Sequence, residues 1–583
     1  MSEETLAAST SRATTADTIA EAFRITAEDH PDRVAVRTKD DEVSLTWGEL
    51  RDRVDALAGG LAALGVGRGD AVAIMLGNRP EFHIADLAVM TLGATPFSIY
   101  QTFSPEQIAY VVGDSGARVA LIEAQYVEAF TAQTDVEHVL VLEDGWPEQP
   151  GFDAEPHWRA VEPDDPITLI YTSGTTGPPK GVELVHRNLV AATRSVEQLI
   201  RFPDGSKVIS WLPAAHIAER MAHHYLPIVY AMTITCCPNP REIVGYLPAV
   251  KPTWFFAVPR IWEKLKAGME GYLLQGEHAE RNRAWFEAAT RKIELEQAGE
   301  EVPEDLAETV AEADRELFAG LRGMLGLDEA VSVNVGAAPT PREVLVFFHA
   351  IGVPVAELWG MSETCGCGLC NPPGRVRIGT VGPAGPGVEV RLADDGELLI
   401  RSEVVMPRYR NAPDKTAEAL DADGWLHTGD IAEIDEDGYV RIVDRKKELI
   451  INAAGKNMSP ANIESTLKGS SPLVGQACVI GDGRPYNTAL IVLDSDFAPA
   501  WAGQQGIGSS DLVELARDER VRAAMQAGVD AANAKLARVE QIKKFTIVEG
   551  DWAPGGDELT PTMKLKRKPI AAKYADQIEA MYG

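Results

Sequence analysis

Cysteine is scarce in this chain. There are six in 583 residues, at Cys236, Cys237, Cys365, Cys367, Cys370 and Cys478. That excludes a disulfide-stapled scaffold, and the uneven spacing favours a reducing compartment. The triplet Cys365, Cys367 and Cys370 has no second paired cluster and no fourth ligand nearby, so it reads as small loop and core residues, not as a zinc site. Long apolar runs are also missing. The stretches 71–76 and 254–258 fall far below the roughly 18 residues that cross a bilayer, and residues 1–16 lack the basic start and apolar core of a secretory signal and read as a polar tail. Basic charge is in deficit: Lys plus Arg number 55 against 87 Asp plus Glu, a net charge of −32. A surface of that sign does not displace counterions from nucleic acid, so no nucleic-acid partner is expected. An anionic substrate would need a local positive site. The expected setting is the cytoplasm, with peripheral contact at the inner membrane face left open.

The length exceeds what one hydrophobic core supports, so more than one domain is expected. Thr46 and Glu49 have capping-box spacing, and Leu50, Val54, Leu57, Leu61 and Leu64 recur at three- and four-residue intervals before Gly65, which predicts an amphipathic helix with a stop. Apolar runs at 71–76, 94–99, 118–122, 139–142 and 167–171 alternate with helical or polar stretches such as 81–92. This is the grammar of an α/β fold with short strands buried in a covered sheet. Residues 275–316 are rich in charge and Ala, with Trp285, Phe286, Ala289 and Ile293 as a helical stripe, and predict a surface helical excursion. From 379 to 438 Gly, Pro and short alternations predict compact β structure. A boundary falls near 444–447. Beyond it, a helix at 460–467, strands at 477–480, 490–493 and 545–548 and a helical region at 512–537 form a separate α+β set.

The strongest local signal is Tyr171-Thr-Ser-Gly-Thr-Thr-Gly-Pro-Pro-Lys-Gly181, directly after a predicted strand. Its glycines permit a close, turning backbone, while the hydroxyls and Lys180 suit phosphate oxygens. The spacing is not that of GxxxxGK[ST], because Gly181 follows Lys180 where a metal-binding hydroxyl would stand, so a kinase or P-loop ATPase is disfavoured.

This loop resembles the signature loop of the adenylate-forming superfamily of acyl-CoA synthetases, adenylation domains and luciferases, and the resemblance continues in order from about Thr46 to Arg567. It implies a large N-terminal adenylation domain of several subdomains with mixed and parallel sheets and a small β subdomain, followed by a small mobile α+β C-terminal domain. The boundaries expected are a tail at 1–16, the first domain at 17–444 and the second at 445–583. Thr172, Ser173, Gly174, Thr175, Thr176, Gly177 and Lys180 would then hold ATP phosphates. Gly336, Ala337 and Ala338 would let nucleotide and acyl carboxylate pass close to the backbone.

In Trp359-Gly360-Met-Ser362-Glu363-Thr364 the resemblance implies that Trp359 faces adenine, Ser362 touches phosphate and Glu363 holds Mg²⁺. Trp359 replaces the family's more usual Tyr, and Ser362 its Thr. Asp430 and Arg445 would bind ribose, Lys447 would be the hinge, and Gly455 with Lys456 would approach the second half-reaction. Lys564, in Leu559-Thr-Pro-Thr-Met-Lys-Leu-Lys-Arg567, would be the catalytic lysine. His216, in Trp211-Leu-Pro-Ala-Ala-His216-Ile-Ala-Glu-Arg220, resembles the segment of long-chain fatty-acid CoA ligases that borders the acyl site, whereas His223 and His224 read as structural. Arg401-Ser402 and Arg408-Tyr409 depart from turns where many relatives have Gly.

The implied reaction joins a fatty carboxylate to the α-phosphorus of Mg·ATP, giving acyl-AMP and diphosphate, after which the thiol of CoA takes the acyl group and AMP leaves. The alternatives are a fatty acyl-AMP ligase loading a carrier protein, a CoA ligase for another hydrophobic acid, and a non-catalytic nucleotide- or acyl-binding protein. Chain-length preference and whether the chain forms a homo-oligomer stay open.

Overall fold

The structure, a computed structural model, describes residues 11–172, 179–273, 278–453 and 456–583. Ser173, Gly174, Thr175, Thr176, Gly177 and Gly455, named above as site residues, lie outside that set.

The predicted alternation is a series of layered sheets. Strands Thr95–Ser98, Ala71–Met75, Val119–Ile122 and His138–Val141 form one parallel sheet in that spatial order. Val72, Ala73, Ile74 and Met75 are all buried, as both faces of a covered parallel sheet require. The helix Trp47–Ala63 beside it begins with the capping box predicted from Thr46 and Glu49. A second sheet orders Ser44–Thr46, Val34–Thr38, Thr233–Cys236 and Lys207–Ser210, and a third orders Trp254–Ala257, Ser332–Val335, Ala356–Trp359 and Leu369–Cys370. In both, one antiparallel edge strand closes a parallel set. The Gly- and Pro-rich region is a four-stranded antiparallel sheet of Glu389–Leu392, Glu397–Arg401, Leu426–Ile434 and Val440–Arg445. Together these are the mixed and parallel sheets and the small β subdomain expected.

The charged, Ala-rich stretch contains helices Ala279–Ala298 and Glu304–Ala313. Its apolar stripe does not float free, since Ala289 is buried and Phe286 lies 5.2 Å, centroid to centroid, from Phe347. Residues 11–16 are a correction to the polar-tail expectation. Arg12–Thr15 form a 3₁₀ turn, Ala13 and Ala16 are buried, and Arg194 donates to the carbonyls of Thr14 and Ala16, so packing begins upstream of residue 17.

The apolar clusters that end with Val440 do not mix with those that begin at Ile450. The later set packs strands Val474–Ile480, Asn487–Leu493 and Ile542–Ile547 under helices Pro460–Ser470 and Glu519–Lys535. The predicted helical region at 512–537 is two helices, Leu512–Arg517 and Glu519–Lys535. Asp518 between them is extended and caps the second with its side chain, an ordinary use of Asp at a helix start.

Candidate active site

Four groups of side chains converge where the third sheet, the phosphate hairpin, the antiparallel sheet and the C-terminal hairpin meet.

The first group is built on the strands Pro166–Thr172 and Lys180–Val185, which pair antiparallel so that Thr172 lies opposite Lys180 at the neck of the loop. Gly181 is closely packed there, since a Cβ would stand 3.0 Å from the ring of Tyr171. Arg408–Tyr409 adds a third strand, with Tyr409 opposite Val182. That registry places the Tyr409 ring 4.8 Å from Lys180 Nζ, a cation over a π face. It also lets the Tyr409 hydroxyl donate 2.7 Å to Glu363 Oε1. The Glu363 carboxylate and desolvation by burial both push the phenol pKa upward. Sequence reasoning treated Tyr409 only as a departure; its use depends on a strand pairing between segments some 226 positions apart.

Glu363 sits in the short 3₁₀ turn Ser362–Thr364 and is 8% exposed, and its own carbonyl accepts from Met406 N at 2.8 Å. Its hard carboxylate oxygens, beside Lys180 and Tyr409, fit a magnesium ion that takes one or two protein carboxylates and completes its shell with phosphate and water.

The second group centres on Asp430, which lies directly across from Arg445 in the antiparallel sheet. Arg445 Nε forms an ion pair with Oδ1 at 2.8 Å, and Trp359 Nε1 donates 2.8 Å to Oδ2. Burial raises the Asp430 carboxyl pKa, opposed by Arg445, Trp359 and Lys564. The indole, standing where Tyr is more usual, thus supplies a hydrogen bond to this carboxylate. Gly360 has no room for a side chain, since a Cβ would meet the carbonyl of Gly366 at 2.3 Å.

The third group is His216 and an apolar cavity. His216 caps the helix Ile217–Arg220, with Nδ1 accepting from Ala218 N at 3.1 Å. An acceptor Nδ1 leaves the ring proton on Nε2. Burial, and then the charge of Lys564, lower the His216 pKa to about 4, so at neutral pH the imidazole is an uncharged donor. Behind it the support is charged and buried. Arg220 donates to the Ala214 carbonyl (3.1 Å), to Asp86 (2.6 Å) and to Ser98 Oγ (3.0 Å). Glu219 accepts from Leu212 N (2.9 Å) and Asn78 (3.1 Å) and pairs with His223 at 2.7 Å, while His224 pairs with Asp86 at 3.0 Å. His223 and His224, read as structural, are parts of this buried scaffold.

Ala218 of the helix Ile217–Arg220, with Met221 and Ala222 of the turn that continues it, lines a mostly apolar cavity that opens to solvent. Trp254, Phe256, Leu358, Ile200, Cys367 and Cys370 also line it. Burial pushes both of these thiols up to about 12, so they are apolar wall, not nucleophiles.

Gly336 sits beside Leu358 and Phe256, two residues that line this cavity. A Cβ there would fall 3.0 Å from Leu358 and 3.2 Å from Phe256. A side chain there would crowd both neighbours, so packing also favours a small residue at this position. Ala337, with φ +69°, and Ala338 are exposed on the turn that follows.

The fourth group is the C-terminal hairpin. Thr560 N donates to the Lys564 carbonyl (2.8 Å), and Lys564 N donates to Thr560 Oγ1 (3.0 Å). The Lys564 side is open to solvent, but protein crowds around it. Loss of bulk solvation lowers its ammonium pKa and Arg445 adds to that, while Asp430, Glu363 and Glu448 oppose it. Arg567 anchors the hairpin through a two-pronged bond to Glu464 (2.6 and 2.8 Å) and one to Glu448 (3.1 Å). Lys447 is exposed on the turn after Val440–Arg445.

The structure thus brings Thr172, Lys180, Glu363, Asp430, Arg445, Trp359, His216 and Lys564 around one cleft. A cleft with a phosphate hairpin on one wall, a paired carboxylate on another and an apolar cavity behind a neutral imidazole is that of an ATP-dependent, adenylate-forming ligase. The chain belongs to the AMP-binding enzyme family, which it matches over residues 23–410, with the family's C-terminal domain at 447–583. It is 51% identical over 436 residues to a Mycobacterium tuberculosis protein named fatty-acid–CoA ligase fadD11, covering 74% of this chain and 76% of that one. It is 34% identical to the long-chain-fatty-acid–CoA ligase FadD15 of Mycobacterium bovis, covering 95% of each. Among solved structures, o-succinylbenzoate CoA synthetase from Bacillus subtilis, in complex with its acyl-adenylate intermediate, superposes with a TM-score of 0.69 over 94% of this chain and 97% of that one. At 21% identity this likeness speaks to the fold alone.

Among the described residues no helix is long and apolar enough to cross a membrane.

Proposed function

We propose that this chain is a long-chain fatty-acid–CoA ligase. The observation that carries the reading is the apolar cavity opening beside the helix that His216 caps, within electrostatic reach of Lys564. An acyl tail threaded into the cavity gains about 0.8 kcal/mol per buried methylene, so the cavity selects an apolar acid, and its carboxylate is left at the mouth between His216 and Lys564. The names of the relatives point the same way.

In this reading Thr172 and Lys180 hold the outer phosphates of ATP, with Ser173, Thr175 and Thr176 of the intervening loop. Ser362 touches phosphate, and the exposed Ala337 and Ala338 border the nucleotide. Asp430 takes the ribose hydroxyls on the lone pairs not used by Arg445 and Trp359. Glu363, oriented by Tyr409, would hold Mg²⁺, whose chemistry is to offset charge on the phosphates.

The acyl carboxylate attacks the α-phosphorus and diphosphate leaves. Lys564 stabilises the negative charge that builds between carboxylate and phosphate, and His216 donates Nε2–H to an oxygen of the same centre. The CoA thiol then attacks the acyl carbonyl, its proton is lost, and AMP departs. Lys564 must withdraw for that step. We place the hinge at Lys447, between bodies spanning 17–444 and 445–583, so that the face carrying Gly455 and Lys456 takes over.

The test supplies ATP, Mg²⁺, CoA and fatty acids of about 12 to 18 carbons, a panel in which each further buried methylene should add to binding. Acyl-CoA and AMP are expected by mass measurement. Release of ADP, or transfer to a carrier-protein phosphopantetheine and not to CoA, would overturn the reading.

A further inference from the structure

Trp359 is fixed at both ends. Its indole N–H donates to Asp430 Oδ2 at 2.8 Å, and its benzo edge lies against Gly368, where a Cβ would come within 3.0 Å of two ring carbons. Its place in the chain is fixed too. It ends the strand Ala356–Trp359, opposite Leu369 of the edge strand. Asp430 is 3% exposed and is met by the indole N–H on one oxygen and by the Arg445 guanidinium on the other. Arg445 is the weaker constraint, since its side chain is 45% exposed and solvent competes for its guanidinium. Without the indole, the carboxylate could turn about its terminal bond and follow the guanidinium.

We propose that Trp359 is a positioning residue for the nucleotide sugar: its N–H sets the plane of the Asp430 carboxylate so that the remaining lone pairs meet the ribose diol. This rests on the assignment of Asp430 to ribose made above and goes beyond it. An aromatic face alone would serve the base, whereas the indole nitrogen serves the sugar through a second residue.

The two roles separate by comparing ATP with 2′-deoxy-ATP in the acyl-AMP-forming half-reaction. A face that only stacks affects both nucleotides equally. A group that orients Asp430 affects the preference between them, because a misoriented carboxylate no longer rewards the 2′-hydroxyl. In Trp359→Phe, which keeps a ring and removes the donor, the wild-type preference for ATP in kcat/KM is expected to fall by about tenfold, the scale of one hydrogen bond to a charged group. KM for fatty acid should stay unchanged. Gly368→Ala keeps the indole but crowds its edge, and is expected to lose part of the same preference. Far-UV circular dichroism confirms that both variants are folded.

If Trp359→Phe raises KM for both nucleotides equally and the preference survives, the indole serves only by its face and the proposal fails. If the wild-type enzyme itself does not distinguish the two nucleotides while still forming acyl-AMP, the assignment of Asp430 to ribose fails, and the proposal with it, but the ligase reading stands.

Discussion

His216 and Lys564, close enough for the charge of one to act on the other, are supported by the chain in opposite ways. Behind His216 everything is buried and charged: Arg220 and Asp86 are both 0% exposed and paired, and Glu219 gathers backbone N–H groups of the preceding loop. Behind Lys564 there is a five-residue turn, closed by Thr560 and carrying Met563 at φ +65° with 40% of its surface exposed. Its deep anchor, Arg567, bonds only to residues after Lys447. The contrast separates a group that is set before substrate arrives from one that can be carried away with its own domain. A buried network is costly to disturb, while a hairpin tied within one small body can move without breaking its own bonds.

The largest effect that sharpens this contrast is chemical. Lys564→Ala should slow acyl-AMP formation by roughly 10²–10³-fold, the scale of one electrostatic stabiliser in a closed site. Transfer from supplied acyl-AMP to CoA should change only a few-fold, because the proposed hinge at Lys447 carries the hairpin away before that step. Equal losses in both half-reactions, measured by rapid quench, would mean that Lys564 never leaves.

Next comes stability. Arg220→Met strands the buried Asp86 carboxylate without its cation and should cost about 3–5 kcal/mol in denaturant unfolding. Adding Asp86→Leu should recover a large part of that. His216 would still lack its clamp on the Ala214 carbonyl, so the double variant should fold well and adenylate poorly. A double variant with full activity would show that the network serves the fold only.

Much of this was legible in the sequence where the determinant is local. Thr46 and Glu49 announced a helix start because a capping box is closed within four residues. The buried strands were visible as short apolar runs for the same reason. The residues carried over by resemblance converge because each lies within a few positions of a strand end or turn that aims it. What escaped was set by distant pairing. Tyr409 gained its place from registry with residues 182–183, and Arg220 and Asp86 meet across 134 positions.

Acid separates the two bodies further. All 11 histidines lie at or before His427. His186, 1% exposed, accepts from Ile19 N at 3.2 Å, and burial lowers its pKa to about 3. A histidine held neutral in the fold but free to charge when unfolded favours folding above the unfolded pKa of about 6.5. As pH falls from there toward 3, the unfolded chain binds the extra proton, and stability drops by up to about 1.4 kcal/mol per pH unit. The first body should therefore lose its unfolding midpoint between pH 6.5 and 4 ahead of the second, as followed by hydrogen exchange. His186→Gln should flatten the slope.

The smallest effect concerns what holds the bodies together. Lys264 meets Asp496, and Lys535 meets Glu343, each at 3.3 Å and each with a side chain more than half exposed. Exposed pairs of this kind contribute only about 0–1 kcal/mol each, and salt screens them. Lys264→Ala with Lys535→Ala should thus leave the unfolding midpoint nearly unchanged. The same loss acts differently on the balance between two orientations of one folded chain, where about 1 kcal/mol is a roughly fivefold change in population. If these contacts belong to the arrangement that presents Lys564, their removal should slow adenylation up to a few-fold, leave thioester formation equal or faster, and reduce the sensitivity of that ratio to salt. An unchanged ratio from low to high ionic strength would assign the hold between the bodies to Arg260 and Asp494, the pair in which the carboxylate side chain is 7% exposed, and would move the search for the latch there.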